Sequence, residues 1–94
     1  MTYILVFYDV SDDRRRLVLA ERLKALGLTR IQRSVFMGRG GHAKAKDVAR
    51  IARMIVDPRT DSVVVVVVPA DYARRIMVVG QLWDNPYRDN IVVV

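Results

Sequence analysis

Apolar and polar positions divide this chain into short segments of two different periods. Residues 3–8, YILVFY, are aromatic and β-branched and predict a strand. The chain then changes character: Asp9 ends the apolar run, Ser11, Asp12 and Asp13 follow, and Arg14, Arg15 and Arg16 come next. Ser11 predicts an N-cap, with the two aspartates at the positive end of a helix over about 12–26. Leu19, Leu23 and Leu26 recur on one face of that helix, and Gly27 predicts its stop. Residues 30–37, RIQRSVFM, predict a second strand, after which Gly38, Gly40 and Gly41 predict a mobile loop. A second helix over about 43–56 sets Val48, Ile51, Ala52 and Ile55 against Lys46, Arg50 and Arg53 on the opposite face. A turn, DPRTD, leads to a strand over 62–68 that Pro69 ends. RIMVV at 75–79 predicts a further strand, and a loop containing WDNPY leads to an extended tail, IVVV, at 91–94.

This order predicts one α+β domain over 1–94, a single antiparallel sheet with two helices on one face. A ferredoxin-like arrangement needs βαββαβ, so the 30–37 run would have to bend into two short strands. The strands at 3–8 and 63–68 are apolar at odd and even positions alike, the pattern of a sheet buried on both faces. Two helices cover one face only. A second copy is expected over the other, giving a homodimer packed sheet on sheet. The tail within 81–94 is expected to add to an edge strand, pairing with the partner subunit's sheet.

Composition narrows the chemistry. The chain has no cysteine, which excludes disulfides, a thiol nucleophile and thiolate zinc sites. The formal net charge is +6, and all but three of the 16 basic side chains are arginine, the exceptions being Lys24, Lys44 and Lys46. The guanidinium fork matches phosphate oxygens, so nucleic acid is the leading partner for such a domain, ahead of a solvated basic surface. No apolar stretch is long enough to span a membrane and no basic leader precedes one, which predicts a cytoplasmic protein.

Asp9 is the first candidate for chemistry. A carboxylate at the end of a buried strand can ligate Mg²⁺, which takes one or two carboxylates and keeps several waters. In a two-fold dimer both copies could reach one ion. The competing reading gives Asp9 the turn amides before the helix. Arg14, Arg15 and Arg16 stand where cations do little for a helix, so phosphate contact or pairing with Asp12 and Asp13 accounts for them. Strand alternation puts Gln32, Ser34 and Phe36 on one face and Arg33, Val35 and Met37 on the other. Ser34 and Arg33 beside Asp9 would suit a phosphate, and Ser34 would equally suit a dimer seam. The Lys46, Arg50 and Arg53 stripe is either a solvated face or a contact to a nucleic-acid backbone. GRGGHAK at 38–44 lacks the spacing of a phosphate loop, and His42, the only histidine, has no visible partner. Trp83 and Tyr87 could stack bases, or could anchor the chain's return to the sheet.

Residues 3–38, from YILVFYDVSDDRRR to QRSVFMG, resemble the opening of the small CRISPR-associated protein of spacer acquisition, the Cas-two family that partners the Cas-one integrase. The resemblance rests on the strand ending in Tyr-Asp, the Ser/Asp-rich cap, the basic helix closed by glycine, and Gln-x-Ser-Val-Phe. It extends more loosely through Asp57-Pro58, DSVVVVVVP, RIMVVG and the valine-rich tail. It implies a ferredoxin-like homodimer whose tail strand completes the partner's sheet, and an Mg²⁺-dependent endonuclease acting on single-stranded RNA or double-stranded DNA. In that reading Asp9 is catalytic and binds metal jointly with its dimer mate. Arg14, Arg16, Arg33, Ser34 and Phe36 then follow as nucleic-acid contacts, with Arg15, Lys46, Arg50 and Arg53 added from the charge pattern. The resemblance also implies a bridging role between integrase dimers, in which Asp9 would be vestigial. A ribonuclease toxin resembling virulence-associated protein D, and a ferredoxin-like RNA-binding module, are the remaining alternatives.

Overall fold

The computed structural model describes residues 1–84 and 91–94. Strand β1 (Thr2–Asp9) leads into helix α1 (Asp13–Ala25), and the hairpin of β2 (Thr29–Gln32) and β3 (Val35–Arg39) follows. Helix α2 (His42–Ile55) and strand β4 (Ser62–Pro69) complete a βαββαβ unit. A short helix α3 (Ala70–Ala73), strand β5 (Ile76–Val78) and strand β6 (Ile91–Val93) come after it.

The main sheet has four strands in the order β2-β3-β1-β4. Its pairs are all antiparallel, as a ferredoxin-like topology requires. The 30–37 run does bend in two. Arg33 and Ser34 make the turn, Gln32 pairs with Val35, and the register shifts between Arg30 and Gln32. Among the described residues no non-glycine residue has positive φ, so this is not one of the mirror-image turns that Asn-Gly pairs announce. That is why the run reads as one strand.

Alternation along β1 separates two cores. Ile4, Val6 and Tyr8 face the helices, where Leu19, Leu23, Leu28, Phe36 and Val48 join them. Tyr3 and Leu5 face the other way, with Ile31, Met37 and Ala73. Val35 and Ile31 therefore line the second face, while Phe36 lies among the helix-side residues. On that second face the cover is incomplete: Phe7 is 42% exposed and Val64 53% exposed. Two helices do leave a large part of one apolar face open.

Several local expectations need correcting. Asp12, not Ser11, caps α1, accepting from the Arg15 amide at 2.9 Å. Ser11 is diverted because its own amide and hydroxyl bind Asp61. Strand β3 runs on through Gly38, which is buried against Leu28 and is not part of a loop. The 75–79 run joins no strand of the main sheet; β5 pairs in parallel with β6 in a separate two-stranded sheet. The stop at Gly27 holds: its amide bonds the Lys24 carbonyl and the Leu28 amide bonds the Leu23 carbonyl, with φ at 86°. That is the paired six-to-one and five-to-two closure of a left-handed helix end.

Close approach makes Gly38 a test of the packing. A Cβ there would lie 2.3 Å from Leu28 Cδ2 and 3.2 Å from the Leu28 backbone. Gly38→Ala is expected to cost about 1–3 kcal/mol in equilibrium urea unfolding, the range for overpacking a filled core.

Candidate nucleic-acid site

The C-terminal end of β1 collects most of the candidate residues. β1 is central, bonded to β3 on one side and β4 on the other, and Asp9 is its last residue, paired with Ser62. The β2–β3 turn is tied to the same end, because the Tyr8 amide donates to the Ser34 carbonyl at 3.1 Å and the Tyr8 hydroxyl to the Arg33 carbonyl at 3.3 Å. Helix α1 begins four residues after Asp9.

Asp9 is exposed, and its carboxylate has no hydrogen bond or ion pair to any described residue. Its neighbours are engaged. Asp12 caps α1, Asp13 pairs with Arg16, Asp57 with Arg59 at 3.1 Å, and Asp61 with Arg15 at 3.0 Å. The turn-capping role open to Asp9 is thus taken by Asp12 and Asp61. Among the described residues no group of three or more His, Asp or Glu side chains could hold a metal. One carboxylate per chain still fits Mg²⁺, which accepts one or two and fills its remaining positions with water.

The three arginines separate in role. Arg14 is exposed and has no partner among the described residues. Arg15 belongs to the Asp61 cluster. Arg16 donates to the Val10 carbonyl at 2.8 Å and pairs with Asp13, so its guanidinium is held beside the β1–α1 loop. Asp61 has a side chain with no exposure and accepts from Ser11, Arg15, Thr60 and the Asp57 amide. The Arg15 guanidinium and the Ser11 amide hold its carboxyl well below the usual carboxylate range. Nothing in the local sequence announces this cluster, since its partners are 46 and 50 residues apart.

A cleft of about 250 Å³ opens between the start of α1 and the β2–β3 turn, lined by Tyr8, Arg16, Arg30, Arg33, Ser34 and Trp83 among others. Arg33 and Ser34 line it together, whereas the sequence pattern sets them beside Asp9 on opposite faces of one strand. Phe36 does not line it: its ring is fully buried in the helix-side core. It meets the cleft through Tyr8 and through Arg30, whose guanidinium lies 5.3 Å from the Phe36 ring centre, 5.2 Å from that of Trp83, and 3.0 Å from the Tyr8 hydroxyl. Arg30 was missed in the sequence because it reads as an ordinary polar position in a strand. A charge on the same side of β2–β3 as Phe36 was the available signal. Asp9 is not among the cleft residues; it follows Tyr8 on the alternate face, the face of Leu5 and Phe7. Lys46, Arg50 and Arg53 are exposed along α2, with Arg50 paired to Asp47 at 3.2 Å. Of these, Arg53 shares a groove with Asp61 and Ser62 at the Asp9 end. Tyr87 lies outside the described residues.

Residues 1–76 match the family model for CRISPR associated protein Cas2. The chain belongs to this family. It is 38% identical over 74 residues to the CRISPR-associated endoribonuclease Cas2 of Aeropyrum pernix, covering 79% of this chain and 80% of that one. The crystal structure of Streptococcus pyogenes Cas2 at pH 6.5 superposes with a TM-score of 0.70 and 28% identity, over 83% of this chain and 99% of that chain. A Cas1/Cas2 endonuclease fusion from Thermoproteus tenax is 40% identical over 60 residues, 63% of this chain and 23% of the fusion. The match to the Cas2 family thus carries Tyr8, Asp9, Arg16 and Arg30 but ends before Trp83. No helix among the described residues is long and apolar enough to cross a membrane.

The Asp61 cluster makes stability acid-sensitive. Its folded-state proton affinity is depressed, so its contribution is complete above the ordinary carboxylate range and is lost as pH falls through and below about 4. Thermal melts of the wild type from pH 7 to pH 3 are expected to show that loss, and Asp61→Asn to melt lower at pH 7 with a shallower decline on acidification.

Proposed function

We propose that this chain is a metal-dependent phosphodiester endonuclease of CRISPR spacer acquisition, working as a homodimer with Asp9 of each subunit at the catalytic centre. The observation that carries this reading is the state of Asp9. It is held at the end of the central strand, on the open face of the sheet, and it alone among the acids of that end is unengaged within the described residues. Mg²⁺, when held there by Asp9, would activate water and offset charge on the phosphodiester transition state. The protein's own part is to bind and orient: Arg16 and Arg33 carry donors for phosphate oxygens, the Ser34 hydroxyl adds another, and Arg14 extends the positive surface outward.

The dimer reading is supported by the open sheet face. Phe7, Val64 and Val66 are exposed on the face that Asp9 shares, so covering that face with a second copy would bring the two Asp9 residues toward one seam. The names of the relatives support nuclease activity on RNA, and the Thermoproteus tenax fusion supports association with the Cas1 integrase. That fusion also favours a second reading, a DNA-binding adaptor between integrase dimers. In it, Arg14, Lys46, Arg50 and Arg53 would supply backbone contacts and Asp9 no chemistry.

Cleavage assays on single-stranded RNA and on duplex DNA separate the two. Losing several kcal/mol of transition-state stabilisation corresponds to at least about 100-fold in rate. Asp9→Ala, or EDTA with the wild type, is therefore expected to reduce cleavage at least about that much while leaving nucleic-acid binding intact. Equal cleavage by Asp9→Ala sinks the metal-site reading, and binding without cleavage under any metal condition selects the adaptor. For the dimer, Val64→Asp is expected to convert a two-subunit mass in light scattering to a one-subunit mass with the circular dichroism spectrum kept.

A further inference from the structure

The nuclease reading assigns phosphate contacts to the cleft but gives no role to Trp83. This side chain is 60% exposed, although an indole is among the largest apolar groups a chain can hide. It is not loosely placed. Its amide donates to the Ile31 carbonyl at 2.8 Å, and the Arg30 guanidinium stacks on its ring at 5.2 Å. Arg30 is fixed in turn by the Phe36 ring and the Tyr8 hydroxyl, while its Nε is buried with no hydrogen-bond partner. The structure therefore holds an exposed indole rigidly at the wall of a cleft that also contains Arg16, Arg30 and Arg33. One acid, Asp13, lines the cleft, and Arg16 already answers it. The cleft keeps an excess of positive charge.

We infer that this cleft is a subsite for one unpaired nucleotide, with its base stacked on Trp83 and its phosphate on Arg33 and Arg16. The assignment rests on the nucleic-acid reading above and extends it to a preference for single strands. A flat aromatic wall facing clustered guanidinium groups matches a base joined to a phosphate, and aromatic stacking accepts any base because every base has a π-face. An apolar peptide would leave the arginines uncompensated. A paired base offers no free face, since both are stacked within the duplex. The matched family region ends at residue 76, and Trp83 lies beyond it.

Trp83 is the chain's only tryptophan, which makes it a direct reporter. Its fluorescence is followed in EDTA while short oligouridylate, oligothymidylate, or a duplex with the same number of phosphates is added. Saturable quenching by either single strand, with much weaker quenching by the duplex, is the expected result. Trp83→Ala is expected to bind single strands about fivefold or more weakly, with an unchanged slope of log affinity against log salt, because stacking releases no counterions. Trp83→Phe is expected to retain most of the affinity, and Arg33→Ala to lower the salt slope by about one. Equal quenching by the duplex, absence of quenching, or full affinity in Trp83→Ala overturns the subsite. Binding is read without metal, so the two readings fail separately: quenching without cleavage in Mg²⁺ keeps the subsite and removes the nuclease, and cleavage with a silent Trp83 does the reverse.

Discussion

Everything at the functional end depends on β1 being hydrogen-bonded on both sides. β3 and β4 fix its two edges, and its last residues have no freedom to drift. Tyr8 uses that rigidity in three directions at once. Its amide and hydroxyl fasten the β2–β3 turn, its ring lies 6.1 Å from Phe36, and its oxygen receives Arg30. The cleft is thus built on a central strand, and its cationic groups are oriented by packing as well as by charge.

One residue further on, the pleat turns Asp9 to the opposite face. The same strand end therefore serves two surfaces, a cationic aromatic cleft on the helix side and an unengaged carboxylate on the open apolar side. This geometry explains why the arginines do not neutralise the carboxylate. Arg15 and Arg16 are committed to Asp61, Asp13 and the Val10 carbonyl, and Asp9 stays available.

The parts of this arrangement that were legible in the sequence are those governed by short-range periodicity. The apolar run at 3–8, the amphipathic pattern at 43–56 and the glycine at 27 each specify a local geometry, and each is found. The hairpin was hidden because Arg33 and Ser34 form it without a residue of positive φ, and α3 because four residues after a proline carry no period. The swap of Ser11 for Asp12 as the helix cap has a different origin. Both are good caps locally, and the choice falls to Asp61, half a chain away, which claims the serine. Phe36 went astray for the reason the hairpin did: a straight strand puts it beside Ser34, whereas the bend sends it inward. Arg30 and Trp83 could not be joined from spacing, since their contact depends on how the chain returns after β5.

The link between Arg15 and Asp61 spans 46 residues of chain. Contacts of that separation carry a loop-closure cost that local helices and hairpins do not. The stretch after Asp9 is consequently tied from downstream: Ser11 and the Arg15 guanidinium find their partner only when the segment ahead of β4 arrives. A nascent chain that has produced β1 and both helices carries Asp9, Ser11 and Arg15, yet lacks the Asp61 carboxylate that Ser11 and Arg15 bind. The position of the β1–α1 loop is thereby coupled to the segment that leads into β4.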